Sequence, residues 1–256
     1  QVAAEAGFEV ALVDVEPSLA EKGMKSILKA WSKGVEKGKI TVEELETLQK
    51  RINIGVDYSM FKDCGIVIEA IVENIEIKKK VFASLAQVCA SETILATNTS
   101  ALSVTEVARA SGCPERVIGM HFFNPVPAMK LVEIIPGCET SEHTVQAVTD
   151  LAVKLGKEPV KAAETPGFIV NRILLPYINE AAILYGENAV SAEDIDKAMK
   201  LGANMPMGPL ALADLIGLDV CLMICEYFWR EFGDSKYRPA LVLRNKVRAG
   251  HLGRKT

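Results

Sequence analysis

The chain has 256 residues, a formal net charge of −4 and 49% hydrophobic residues. That apolar share supports a sizeable core and excludes a disordered chain, and the mild acidity excludes the basic footprint of a nucleic-acid binder. No charge-free apolar run reaches the roughly 18 residues of a membrane span, because Asp214 and Asp219 interrupt the longest candidate, LALADLIGLDVCLMI.

QVAAEAG opens the chain as part of a helix, and FEVALVD follows as an apolar strand closed by Asp14. An acid ending the second strand of a dinucleotide-binding sheet accepts hydrogen bonds from a ribose 2′-hydroxyl and repels a 2′-phosphate, which favours NAD over NADP. Capping of the helix begun by EPS is the competing role. Residues 17–51 then read as a charged helical pair. Within it Lys22, Lys25, Lys29, Lys33 and Lys37 recur every three or four residues and share one stripe. The stripe is either a solvated face or an arm that meets a ligand's phosphates.

GIVIEAIVE, TILATN, VIGMHFF and KLVEII continue as apolar strands, separated by helical stretches such as IKKKVFASLAQVCA and SVTEVARAS. Strands alternating with helices predict an α/β domain with a doubly wound, mostly parallel sheet. Ligands of such sheets bind beyond the carboxyl ends of the strands. Polar residues gather at those ends: Asp14, then Glu73 and Asn74, then Asn98 and Ser100, then His121 and Asn124. Four such ends in succession exceed what turn chemistry requires.

Glu133 is the anomaly of the set, a carboxylate inside the apolar run LVEII. An unpaired buried carboxylate is costly, so it needs a partner. His121 is the nearest candidate, and the intervening NPVP segment turns or runs extended, which can set the two strands side by side. A His–Glu pair suits general acid–base work, with the carboxylate stabilising the imidazolium. A purely structural buried pair is the alternative.

After ETPGFIVNR the period becomes helical throughout. The break at Thr165-Pro166-Gly167 divides the chain into residues 1–164 and an all-α domain, residues 165–256. Asn171 lies in the first helical turn past that break, as a cap or as a ligand contact, and Ser191 with Asp194 resembles a capping box. Six scattered cysteines without a CxxC pair, and three histidines, argue against zinc and for free thiols in a reducing cytoplasm.

Taken together, HFFNPVPAMKLVEII, TNTSALSVTE, EAIVENIEIKKKVF, ETPGFIVNRILLPYINEA and MKLGANMPMGPLALADLIGLD resemble the L-3-hydroxyacyl-CoA dehydrogenases, nearest to the bacterial short-chain type. The resemblance runs over the whole chain. It implies a Rossmann-like NAD-binding domain, an acyl-CoA substrate and a homodimer formed through the C-terminal helical domain. It implies His121 as the catalytic histidine, Glu133 as its orienting carboxylate, and Ser100 and Asn171 as ligands of the substrate oxygen. Asp14 matches the adenosine-ribose ligand, and Glu73, Lys78, Asn98, Ser100 and Asn124 fall around the nicotinamide half. The helical arm matches the region that meets coenzyme A, with Lys33 and Lys37 as candidates. No GxGxxG occurs in the chain, and the resemblance places an apolar strand and that loop ahead of Gln1. Two rival readings stand beside it: a dehydrogenase of free 3-hydroxy acids, as in the related gulonate branch, and a catalytically silent dimerisation module.

Overall fold

The computed structural model describes residues 1–256, and its elements follow from local chemistry. Helix α1 (Val2–Glu5) leads into strand β1 (Val10–Val13), and the charged pair forms as α2 (Pro17–Glu36) and α3 (Val42–Lys50). Helix α3 starts with a full capping box, in which the Thr41 hydroxyl accepts from the Glu44 N–H and the Glu44 carboxylate accepts from the Thr41 N–H. Strand β2 (Ile52–Gly55) then pairs in parallel with β1, Val10 opposite Ile52. The sequence reading lacks this strand. INIG is only four residues long and holds Asn53 and Gly55, both disfavoured in strands.

The chain continues as β3 (Ile66–Glu69), α4 (Ile75–Val88), β4 (Ile94–Thr97), α5 (Val104–Ser111), β5 (Val117–Phe122), β6 (Leu131–Pro136), α6 (Glu142–Lys154) and β7 (Glu158–Lys161). Strands β3 to β7 form one sheet in chain order, parallel except at β5–β6. The exception has a simple cause, since segment 123–130 is too short for the crossover that parallel strands need. Strand β7 is also absent from the sequence reading, its EPVK pattern being mostly exposed.

Alternation along the strands builds two core layers. Ala96, Ile118, Met120 and Ile134 face Val145, Val148 and Ala152 of α6. Leu95, Val117 and Val67 face Phe82 and Leu85 of α4 and Val107 of α5. Gly119 lets α5 approach the sheet, because a Cβ there would sit 3.0 Å from Val104 Cγ2 and 2.9 Å from Ile135 Cβ.

The chain divides into two compact units, Gln1–Thr99 with Ser103–Glu164, and Ser100–Leu102 with Thr165–Thr256. The second unit holds α7 (Val170–Gly186), α8 (Ala192–Gly202), α9 (Pro209–Ile216), α10 (Leu218–Phe232) and α11 (Leu241–Arg248). Gly167, at φ +78°, has no room for a side chain, since a Cβ would fall 2.2 Å from Phe228 Cζ. Asn179 is buried in α7; its Oδ1 accepts from the Ala240 N–H at 2.7 Å and its Nδ2 donates to the Arg238 carbonyl at 3.0 Å. Ser191 caps α8 as expected, but the short Asp194 carboxylate takes the Ser191 hydroxyl at 2.8 Å rather than completing the box. No helix is long and apolar enough to cross a membrane.

Cys221 and Cys225 are buried in the core of the helical unit, and desolvation pushes both thiols from the ordinary 9.0 up to about 12. Folded thiols thus keep their protons where unfolded ones ionise, so this stabilisation is complete below pH 9 and is lost as pH rises toward about 12. A thiol reagent at pH 8 is expected to label exposed Cys138 first and to reach Cys221 and Cys225 only on denaturation. Peptide mapping of the labelled native protein checks this, and rapid native labelling of either buried cysteine would contradict it.

Candidate active site

Strands β5 and β6 place His121 directly opposite Glu133. The imidazole Nδ1 lies 2.7 Å from Glu133 Oε2, and the two residues are 4% and 0% exposed. This is the partner that a carboxylate in LVEII requires. An ionised carboxylate only accepts, so Nδ1 carries the hydrogen and Nε2 of the neutral ring is the basic nitrogen. Phe123 packs against the imidazole with ring centroids 4.5 Å apart, which limits its rotation. Lys157 holds the 123–130 segment, donating to the carbonyls of Met129 (2.9 Å) and Val126. Burial pulls that ammonium below its ordinary 10.5.

A second polar cluster lies at the end of β3. Lys78 of α4 is wholly buried, 2.7 Å from Glu69 Oε1 and 3.4 Å from Glu73 Oε2. Glu69 also accepts from the Ile71 N–H and the Thr97 hydroxyl, each at 2.7 Å. Thr99 donates to Glu73 Oε1 at 2.6 Å. The Glu73 side chain stays 22% exposed while Lys78 has no exposed surface, so the lysine holds Glu73 in place from beneath. Asn74, grouped with the strand ends by sequence, is instead the N-cap of α4 and accepts from the Glu76 and Ile77 N–H groups.

Asp14 is exposed immediately after β1, and its Oδ1 accepts only from the adjacent Val15 N–H at 2.7 Å. It does not cap α2, which begins at Pro17 without a side-chain cap. Asn98 follows β4, and its Oδ1 accepts from the Phe122 N–H at 2.8 Å, which ties the ends of β4 and β5 together. Asn124 is exposed in the segment after β5 and joins Pro125 through a cis peptide bond. Lys33 on α2 and Lys37 just after it are exposed, as are Lys22, Lys25 and Lys29.

Ser100 and Asn171 come together within the helical unit, where Asn171 Nδ2 donates to the Ser100 carbonyl at 3.3 Å. Sequence reasoning passes over Glu69, Thr97 and Glu164, and counts Thr99 only as one of the polar residues ending its strand. Glu69 carried a usable signal, a carboxylate inside the apolar run IVIEAIV, the same anomaly that exposes Glu133. The residues present fit a dinucleotide: the carboxyl ends of β1, β3 and β4 carry an exposed carboxylate, a partly exposed one and an amide, the carboxylates able to accept from ribose hydroxyls and the amide able to pair with a carboxamide.

Comparison with known proteins agrees with this architecture. Residues 1–165 match the family model of the 3-hydroxyacyl-CoA dehydrogenase NAD binding domain, and residues 167–256 match that of its C-terminal domain. The probable 3-hydroxybutyryl-CoA dehydrogenase of Bacillus subtilis is 51% identical over all of this chain and 89% of its own length. The 3-hydroxybutyryl-CoA dehydrogenase of Clostridioides difficile is 48% identical over all of this chain and 91% of its own. The crystal structure of the (S)-3-hydroxybutyryl-CoA dehydrogenase of Ralstonia eutropha superposes with a TM-score of 0.96 at 44% identity, covering 99% of this chain and 90% of that one. The chain therefore belongs to the 3-hydroxyacyl-CoA dehydrogenase family.

Proposed function

We propose that the protein is an NAD-dependent oxidoreductase that interconverts a short-chain (S)-3-hydroxyacyl-CoA and its 3-ketoacyl-CoA, with 3-hydroxybutyryl-CoA and acetoacetyl-CoA as the pair. The observation that carries the reading is the in-register His121–Glu133 pair, with Nδ1 and Oε2 2.7 Å apart. The nicotinamide, when bound, supplies hydride exchange at C3 of the substrate. In oxidation His121 Nε2 takes the 3-hydroxyl proton, and in reduction it returns that proton to the keto oxygen. Glu133 holds Nδ1–H and stabilises the imidazolium formed in between. Ser100 and Asn171 hold the reacting oxygen. Asp14 and Glu73 bind the cofactor's ribose hydroxyls, Lys78 and Thr99 fix Glu73, and Asn98 and Asn124 serve the nicotinamide half. Lys33 and Lys37 offer cations to the phosphates of coenzyme A.

The test is NADH oxidation with acetoacetyl-CoA beside longer 3-ketoacyl-CoAs and free 3-keto acids. Turnover of acetoacetyl-CoA with neglect of the free acids supports the reading, and the reverse preference would install the free-acid rival. NADH is expected to exceed NADPH in kcat/KM, because the Asp14 carboxylate opposes a 2′-phosphate. Asp14→Ser should narrow that ratio, and equal values for the two cofactors in the unaltered enzyme would remove this role from Asp14.

The reading extends to a cytoplasmic homodimer formed through the helical unit. Six free thiols suit a reducing compartment. Ile173, Leu201 and Leu241, each more than 65% exposed, are large apolar side chains available to a second copy. Sedimentation equilibrium decides the oligomeric state.

A further inference from the structure

Glu164 lies immediately before the break into the helical unit, yet its carboxylate is committed elsewhere. Its Oε1 accepts from the Ser103 hydroxyl at 2.7 Å and from the Thr105 N–H at 2.8 Å, and its Oε2 accepts from the Thr105 hydroxyl. That hydroxyl in turn accepts from the Cys138 N–H at 2.8 Å, at the exit of β6. Thr105 thereby links the start of α5, the end of β6 and Glu164.

The location is what separates this from ordinary helix capping. The chain passes from one compact unit to the other at Thr99–Ser100, returns at Leu102–Ser103, and passes again at Glu164–Thr165. The Ser103–Glu164 hydrogen bond joins the second and third of these crossings. Three residues before Ser103 is Ser100, and seven residues after Glu164 is Asn171, whose amide closes onto the Ser100 carbonyl. Two hydrogen bonds and two short stretches of backbone thus make a closed ring. Its root is Glu164, and Ser100 and Asn171 are its far side. A carboxylate with three donors is the strongest link available there, since hydrogen bonds to a charged acceptor are roughly twice as strong as neutral ones.

We propose that Glu164 is a positioning residue for the substrate-oxygen ligands Ser100 and Asn171: it pins the roots of both segments that carry them and so sets their mutual geometry. This rests on the dehydrogenase reading for its kinetic consequence, though not for its structural one. Gln can keep most of the network, because its carbonyl oxygen replaces Oε1 and the Thr105 hydroxyl can rotate to accept from its amide. Ala abolishes it.

In Glu164→Ala, kcat for acetoacetyl-CoA is expected to fall by roughly 10- to 100-fold, the scale of an ångström-sized misplacement. The NADH dissociation constant should stay within about twofold, because Asp14 and Glu73 belong to other segments. Glu164→Gln should recover most of the loss. Hydrogen exchange supplies a readout that needs no turnover: in the Ala variant, protection should fall together in peptides covering residues 100–103 and 165–171, with the α6 peptides and Thr99, which holds Glu73, unchanged. If Glu164→Ala does not fold, Ser103→Ala, which removes one donor only, should show the same paired exchange at smaller amplitude. Loss of protection confined to the first turn of α5, with kcat unchanged, would reduce Glu164 to a helix cap and overturn the proposal. So would an equal loss of NADH affinity, the mark of general damage. An inactive wild type would refute the dehydrogenase reading but leave the exchange test decisive.

Discussion

Replacing His121 with asparagine is expected to lower turnover of acetoacetyl-CoA by roughly 10²–10⁴-fold, the contribution of a positioned acid–base group. The expectation follows from geometry. The ring is 4% exposed, clasped at Nδ1 by Glu133 and flanked by Phe123, so one orientation of Nε2 is presented. Asparagine keeps a hydrogen-bonding group near Glu133, which is 0% exposed, and so limits the penalty of a stranded carboxylate. Glu133→Gln is expected to lower turnover as well, by withdrawing the charge that stabilises the imidazolium, and to move the pH–rate profile. Circular dichroism and thermal melting establish that each variant is folded before its rate is compared. Near-normal turnover in folded His121→Asn would dismiss the mechanism, and an unmoved pH profile in Glu133→Gln would dismiss the pairing.

Lys78→Met is expected to be the most destabilising single change among the site residues, by about 3–5 kcal/mol, the penalty for breaking a buried ion pair from one side. Its ammonium has no exposed surface and sits 2.7 Å from Glu69, whose side chain is 2% exposed. Methionine fills the volume but leaves the Glu69 charge uncompensated beneath the sheet end. Lys78→Met with Glu69→Gln should recover much of that loss, since the amide is neutral, its oxygen keeps the Ile71 donor and its NH2 can donate to a rotated Thr97 hydroxyl. Urea titration of the single and double variants measures both effects. A single variant within about 1 kcal/mol of wild type would mean that the cluster is already neutral or hydrated.

The two carboxylates explain what the sequence discloses and what it hides. Glu133 was legible because its run is apolar on both sides and its partner stands at the end of the preceding strand, twelve residues away. Glu69 shows the same anomaly, but its partner Lys78 is on a helix among three consecutive lysines, where every cation reads as solvated. Lys79 and Lys80 are the ones that face outward. Strands β3 to β6 were legible from their apolar runs, whereas β7 was not, its EPVK pattern being mostly exposed. Strand β2 did not, because INIG draws its pairing from β1 and not from its own propensity. Glu164 stands unmarked beside the Thr165-Pro166-Gly167 break, since nothing local distinguishes a carboxylate that bonds a helix start about sixty residues earlier.

The His121–Glu133 register has a consequence for how the protein tolerates change. Odd-numbered residues of β5 and β6 face α5, and even-numbered ones, Ile118, Met120, Val132 and Ile134, face the apolar layer of α6. An insertion of one residue inside β6 ahead of Glu133 would rotate the carboxylate into that layer, among Val145 and Val148, and leave Val132 or the inserted residue opposite the imidazole. Such a lineage loses its fold along with its chemistry. The 123–130 segment lies outside both strands, so a change of length there does not by itself shift their register. Selection for folding alone therefore preserves the register that sets these two positions opposite one another, whichever residues occupy them.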